Sequence, residues 1–343
     1  TLDEATDVAF SDDGLEIAFI AGGDLWVMDT ELREPIQITN TAEEESEPSF
    51  SPDGDRIVYC SDAGGESDIW VAERDDAKLY WWQNETFETK KLTDDAAVEA
   101  DLQWSPAGDQ IAYVRQRGDL WVMKPDGSDS RRILESWNSP DYVWSPDGKW
   151  LVYAMSDSDF NRDVYVVPLD ESREPFNLSR HPDNDYSPVW SPDGKAIAFT
   201  GRRVGDDVDI YFVYLRAEDN EASSRDRKIE KAIEKIKKAR KTPPKKDKAE
   251  DDKKSDDEAA SDKDDSKKED AAKDKTDDKQ PKEEEEPKLP EVQIDFDGIH
   301  ERLRRVSIAN TSESGLFWSH DSKKLAFTTE IDGKRGTYTI QPP

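Results

Sequence analysis

Apolar residues come in short runs separated by turns rich in Ser, Pro, Asp and Gly, and the runs recur in a fixed order. An aromatic-S-x-x-G phrase, or a close relative, opens each round. It reads F-S-D-D-G from Phe10, F-S-P-D-G from Phe50, W-S-P-A-G from Trp104, W-S-P-D-G from Trp144 and from Trp190, and W-S-H-D-S from Trp318. After each turn comes a strand-sized run: I-A-F-I at 17–20, I-V-Y at 57–59, I-A-Y-V at 111–114, L-V-Y at 151–153, I-A-F at 197–199 and L-A-F at 325–327. A polar loop follows. In the first five units the next run then opens on an acid: Asp24, Asp68, Asp119, Asp163 or Asp209. The round closes on a short run ending in L-T or its like, as in K-K-L-T at 90–93 and F-N-L-S at 176–179.

Runs of this length, alternating with polar residues and bounded by turn formers, predict strands. In P-D-G the Pro presets φ, the Asp bonds the local backbone and the Gly accepts a positive φ. Four strands per round make an antiparallel blade, which cannot bury both faces alone. The anchor aromatic faces the neighbouring blade, where its burial is worth about 2–3 kcal/mol. Blades that stack radially form a propeller, so the fold class is all-β: a β-propeller of four-stranded blades with six repeat units. The sixth unit has three strands, ending in T-Y-T-I-Q at 337–341, and the polar segment 1–7 is poorly suited to supply the fourth. An open blade edge invites aggregation. The expectation is a larger ring, with the parent protein continuing past Pro343. The absence of an initiator Met at Thr1 fits an excised piece, so a missing targeting signal leaves the compartment open.

The anchors lie 40, 54, 40, 46 and 128 residues apart. The last spacing holds an insert at 217–290, between blades 1–5 on 1–216 and the end of blade 5 with a partial blade 6 on 291–343. Of its 74 residues 47 are charged, and none is aromatic or glycine. R-D-R-K-I-E-K-A-I-E-K-I-K-K-A-R-K at 225–241 places Ile229, Ile233 and Ile236 on one helix face. The Lys/Asp/Glu/Ala tract at about 242–290 reads as disordered, either a tether or docking arm or a tolerated loop expansion.

The insert is almost neutral, with 25 acids and 22 bases, so the net charge of −32 belongs almost wholly to the blades. That surface repels phosphate and argues against nucleic acid as a partner. It suits basic peptides or protein segments, or a life in high salt; a merely solvated acidic surface accounts for it equally. No apolar run is long enough for a transmembrane helix, so membrane insertion is not expected. One cysteine, Cys60, permits no internal disulfide and reads as a small buried hydrophobe.

The chain offers no catalytic constellation. His181, His300 and His320 stand apart. H-E-x-x-R at His300 is not the H-E-x-x-H of zinc proteases, and there is no G-x-S-x-G elbow or phosphate loop. No cofactor is implied. Asp157, Asp159, Asn161 and Asp163 place oxygens at alternate positions, a weak calcium candidate without the Gly and distal Glu of an EF-hand. Five residues before the anchors sit Glu45, Glu99, Asp185 and Glu313. First strands line a propeller's channel, so these acids are expected at one channel mouth. With Asp62, Glu66, Asp157, Asp159, Asp206 and Asp207 of nearby loops they would form an acidic funnel for a basic segment; the alternative is that they cap turns. Tyr80, Trp81 and Trp82 lie in an extended hairpin of the second blade. They are candidates for docking another domain, or for folding back onto their own blade.

The repeats resemble the blades of TolB and of tricorn-type proteases. The stretch V-Q-I-D-F-D-G-I-H-E-R-L-R-R-V-S-I at 292–308 is similar to one late in the second propeller of tricorn-like serine peptidases, a family related to tail-specific proteases. That resemblance implies a non-catalytic propeller that guides or gates peptides and docks the parent's downstream PDZ-like and protease domains. The catalytic Ser and His of that family lie outside its propellers, so no catalytic residue is carried onto this chain. A TolB-like protein-interaction scaffold without protease activity is the alternative.

Overall fold

The computed structural model describes residues 5–222, 289–306, 308 and 311–342, with positions 229, 232, 233, 235–237 and 240. Contacts divide the chain into two units, Thr1–Glu221 with Leu289–Pro343, and Ala222–Lys288. In the second unit the described positions are helical, with Ile229, Ile233 and Ile236 exposed. The remainder of the tract expected to be disordered lies outside the described residues, apart from Leu289 and Pro290.

The first unit is a β-propeller of six antiparallel blades, each a meander of strands consecutive in sequence. Blade 1 holds β1 (Thr6–Phe10), β2 (Glu16–Ala21), β3 (Asp24–Asp29) and β4 (Ile36–Gln37). Blade 2 holds β5 (Glu45–Phe50), β6 (Arg56–Ser61), β7 (Asp68–Arg74) and β8 (Phe87–Lys91). Blade 3 holds β9 (Glu99–Trp104), β10 (Ile111–Arg115), β11 (Asp119–Met123) and β12 (Arg131–Leu134). Blade 4 holds β13 (Asp141–Trp144), β14 (Trp150–Ser156), β15 (Arg162–Pro168) and β16 (Phe176–Asn177). Blade 5 holds β17 (Asp185–Trp190), β18 (Ala196–Gly201), β19 (Asp209–Tyr214) and, beyond the insert, β20 (Leu303–Val306). Blade 6 has three strands, β21 (Ser314–Trp318), β22 (Leu325–Ile331) and β23 (Lys334–Ile340).

The core lies between blades. Five apolar clusters each join one blade to the next, as where Ala18, Leu25 and Val27 of blade 1 meet Phe50, Ile57 and Tyr59 of blade 2. Each fully buried Val, Leu or Ile contributes about 1.5–3 kcal/mol. The anchors from Phe50 to Trp190 are only 6–8% exposed. The indole N–H groups of Trp104, Trp144 and Trp190 donate to the carbonyls of Ser49, Gln103 and Val143 on the preceding blade's first strand, at 3.1, 3.2 and 3.2 Å. Phe10 has no preceding blade among the described residues and is 60% exposed. The turn after each anchor is tied by its serine. Ser51 Oγ accepts from Arg56 N at 3.0 Å, Gly54 N donates to Ser51 O at 2.8 Å, and Gly54 sits at φ +73°.

The stretch 292–302 is a structural clasp over blades 4 and 5. Val292 N donates to Asp147 Oδ2 at 2.9 Å and Asp295 N to Leu215 O at 2.9 Å. Phe296 packs against Trp150 and Phe176, with the Arg173 guanidinium 3.5 Å from its ring centre. The buried Arg302 guanidinium donates to the carbonyls of Tyr214, Leu215, Asp297 and Asp295. His300 stacks on Phe176 and its Nε2 lies 3.0 Å from Asn177 O.

Candidate functional site

The first strands of neighbouring blades contact one another along the inside of the stack (β1 with β5, β5 with β9, β13 with β17, β17 with β21). In five blades the first strand carries a bulge three residues before the anchor. The pairing register of β1, β5, β9, β17 and β21 against its neighbour shifts there. The residue at the bulge takes a left-handed φ: Asp7 (45°), Glu47 (52°), Asp101 (55°), Ser187 (49°) and Gly315 (59°). A bulge adds a residue on one side of a pair, twists the strand and re-aims a side chain. In blade 4 the equivalent residue, Asp141, opens a shorter unbulged strand after Pro140.

Four of these six positions are acids, and they form a hydrogen-bonded staircase from blade to blade. Asp7 Oδ2 accepts from Glu47 N at 3.2 Å. Glu47 Oε2 accepts from Asp101 N and from Leu102 N. Asp101 Oδ2 accepts from Ser139 Oγ at 2.8 Å, and Asp141 Oδ2 from Ser187 N at 3.0 Å. Each carboxylate thus satisfies a polar group of the next blade that the irregular strand leaves open. Among the described residues none of the four is in an ion pair. Burial, then the charges of Asp101 and Asp7, push the Glu47 carboxyl above the usual carboxylate range. Glu47, Asp101, Ser139, Asp141 and Tyr142 line a cleft of about 520 Å³ across blades 2–4, with Arg162 the cation among its lining residues.

The acids singled out from sequence lie two residues earlier, and the structure buries them. Glu45, Glu99, Asp185 and Glu313 are 0–3% exposed. Glu45 and Glu99 belong to latches between blades. Thr39 Oγ1 accepts from Leu25 N at 2.8 Å and donates to Glu45 Oε2 at 3.0 Å. Thr93 does the same between Ile69 N and Glu99 Oε2, at 2.8 and 3.1 Å. Asp185 meets Arg203, and Thr311 donates to Glu313. This explains why a round ends in Thr: the hydroxyl joins a blade's third strand to the next blade's first, whereas Ser179 donates to Asp163 within its own blade. Burial raises all four pKa values, Glu99 to about 7. Of the nearby loop acids, Asp62, Glu66, Asp159, Asp206 and Asp207 are exposed and Asp157 is half-buried.

The other candidates separate in the same way. Trp81 is fully buried between blades 1 and 2, against Phe50 and Phe87. Its Nε1 donates to Gly54 O at 2.7 Å and its backbone N to Glu16 Oε1 at 2.9 Å. It is therefore not available for docking, because the hairpin turns it inward to strap the two blades. Tyr80 is 61% exposed and stacks parallel on Trp82, with ring centres 6.3 Å apart. The four oxygens of the calcium candidate do not converge. Asp157 Oδ1 accepts from the backbone of Asp159 and Asn161, whereas Asp163 accepts from Ser179, Asn177 and His181 N. Among the described residues no group of three His, Cys, Asp or Glu is placed to hold a metal. Cys60 is buried, and burial pushes its thiol well above the usual range.

Sequence reasoning missed Asp7, Glu47, Asp101 and Asp141. Their signal was present, an acid three residues before four of the six anchors. A strict two-residue alternation does not reveal that a bulge changes where those side chains point.

No family model matches the chain. It is 26% identical over 117 residues to the uncharacterized peptidase YuxL of Bacillus subtilis, covering 32% of this chain and 17% of that protein. It is 24% identical over 147 residues to the uncharacterized protein Atu1656 of Agrobacterium fabrum (38% and 46% covered). It is 28% identical over 109 residues to dipeptidyl-peptidase 5 of Porphyromonas endodontalis (31% and 15%). The matches thus span less than half the length of each of these curated relatives. Among solved structures, tricorn protease superposes with a TM-score of 0.57 at 10% identity, over 98% of this chain and 30% of that one. An oligogalacturonate lyase in complex with manganese superposes at 0.53 and 13% identity, over 98% and 76%. A putative TolB from Agrobacterium tumefaciens gives 0.45 at 20% identity, over 63% and 78%. The chain is a β-propeller similar in fold to that of tricorn protease.

Proposed function

We propose that this chain is the non-catalytic propeller of a larger tricorn-like serine peptidase, where it guides or gates peptide substrates and docks the parent's PDZ-like and protease domains. The reading rests on one observation above all. Acids recur at the first-strand position of four consecutive blades, and three of them, Glu47, Asp101 and Asp141, line one cleft without an ion pair to a lysine or arginine among the described residues. Charges about 8 Å apart at an effective dielectric of about 20 repel by roughly 2 kcal/mol, and a cationic segment relieves that repulsion. Backbone donors hold Glu47 and Asp141 and the Ser139 hydroxyl holds Asp101, so binding orders little. The peptidase names of two partial relatives support the setting, and the blade charge supports basic peptides over nucleic acid.

The test is binding of a lysine-rich peptide and its glutamate-rich twin to the full chain, by fluorescence anisotropy at low and moderate salt. The basic peptide should bind, the acidic one should not, and the affinity should fall as salt rises. Replacing Glu47, Asp101 and Asp141 together by Gln, Asn and Asn should weaken binding about tenfold or more. Equal affinity for the two peptides, or an unchanged affinity of the triple variant, overturns the reading.

A TolB-like interaction scaffold is favoured by a different feature, the exposed Tyr80 stacked on the half-buried Trp82 in the hairpin of blade 2. A parent gene encoding a PDZ-like region and a serine protease domain after the propeller supports the first reading. A parent without them supports the second.

A further inference from the structure

Two exposed aromatic rings lie close in sequence to residues that line the acidic cleft. Trp137 is 53% and Phe160 74% exposed, and they meet edge to face with ring centres 5.5 Å apart. Trp137 lies in the loop between β12 and β13, two residues before Ser139, and Phe160 in the loop between β14 and β15, two residues before Arg162. Ser139 and Arg162 both line the cleft.

Both loops are held in place. Ser136 N donates to Asp119 Oδ1 at 2.9 Å and Ser136 Oγ to Asn138 O at 2.7 Å. The same loop presses so closely on Gly118 that a Cβ there would meet Asn138 O at 2.1 Å. In the other loop, Asp157 Oδ1 accepts from Asp159 N and Asn161 N, and Asn161 Nδ2 donates to His181 O at 2.8 Å. Inside that turn Phe160 sits at φ +63°, a conformation costly for a bulky side chain.

We infer that the cleft selects arginine over lysine in the peptide segment it takes, with Trp137 and Phe160 supplying the aromatic faces. This deepens the proposed function and rests on its reading of the acids. An ammonium needs only the carboxylates. A guanidinium is planar and weakly hydrated, so it stacks on a ring while its N–H groups reach Asp101 or Asp141. The cleft joins both chemistries at one mouth, and its charge complements that of the occupant.

The experiment compares two dye-labelled Gly-Ser peptides of equal length and charge, one carrying arginines and one lysines, on the full chain. The arginine peptide should bind about two- to fivefold tighter, the range of an exposed cation–π contact. Trp137→Ala with Phe160→Ala should remove that preference, weakening the arginine peptide more than the lysine peptide. Both residues are exposed, so the variant should keep the parent's melting temperature. Equal binding of the two peptides, both still lost on neutralising Glu47, Asp101 and Asp141, would overturn the arginine preference and leave the proposed function standing. No binding of either peptide would overturn both. A preference that persists in the double aromatic variant would show that the rings do not provide it.

Discussion

Asp185 and Arg203 form a two-point ion pair inside blade 5, with Nε 3.0 Å from Oδ1 and Nη2 2.6 Å from Oδ2. Their side chains are 0% and 9% exposed. Arg203 also donates to Ser179 O of blade 4 and lies over the rings of Phe199 and Tyr211. Gly201 makes room for the pair, because a Cβ there would lie 2.1 Å from Asp185 Oδ1. Removing one partner of a buried pair strands the other charge, so Arg203→Ala should cost about 3–5 kcal/mol in urea unfolding. Adding Asp185→Asn to Arg203→Ala should recover part of that loss. A double variant no more stable than the single one would mean the pair acts only by filling space.

Glu99 sets a pH dependence. Burial dominates its environment and outweighs the hydrogen bond from Thr93 and the charge of Arg115, raising its pKa to about 7. The unfolded carboxyl titrates near 4.5, so between about pH 4.5 and 7 the folded chain holds the extra proton. Stability should therefore fall as pH rises through that window. Glu45, Glu47 and Glu313 shift in the same direction and steepen the slope. Glu99→Gln keeps the shape and removes the titration. It should melt a few degrees higher than the parent at pH 8 and close to it at pH 4. A parent whose melting temperature rises steadily from pH 4.5 to 7 would contradict this.

Trp81 carries a stability prediction that its neighbours do not share. Trp81→Ala opens a cavity between blades 1 and 2 and leaves Gly54 O without its indole donor, a loss of about 3–5 kcal/mol. Tyr80→Ala removes an exposed ring and should change stability by less than about 1 kcal/mol, and Trp82→Ala, at a half-buried ring, should cost less than Trp81→Ala. Urea midpoints of the three variants check this, and comparable losses in all three would mean that the outer stack is structural too.

The blades were legible because their physics is local and repeated. Each aromatic anchor, turn and strand run states the same unit, and the buried anchors from Phe50 to Trp190 answer to it. The site was harder to read. Glu45 and Glu47 are both acids on the same strand, and only the bulge between Ser46 and Ser49 separates a buried latch from a cleft-lining group. Trp81 and Trp82 are likewise adjacent and chemically alike, but the turn at Trp81–Gln83 buries one and leaves its neighbour stacked on Tyr80. Pairs such as Trp137 with Phe160 come from different blades and have no signature along the chain.

Arg302 gives the last prediction, because it explains why the D-F-D-G-I-H-E-R stretch needs its final residue. Its guanidinium reaches four backbone carbonyls at once, on the end of β19 and on the chain returning from the insert. An ammonium has three donors on a flexible stem and cannot span that fan. Arg302→Lys should therefore destabilise nearly as much as Arg302→Ala, by about 2–4 kcal/mol, since either leaves buried carbonyls unpaired. The loss should begin locally. Hydrogen exchange should quicken first at Asp295 N, which donates to Leu215 O, and in β20, while blades 1–3 keep their protection. Restoration of parental stability and protection by the lysine would show that charge alone holds the clasp.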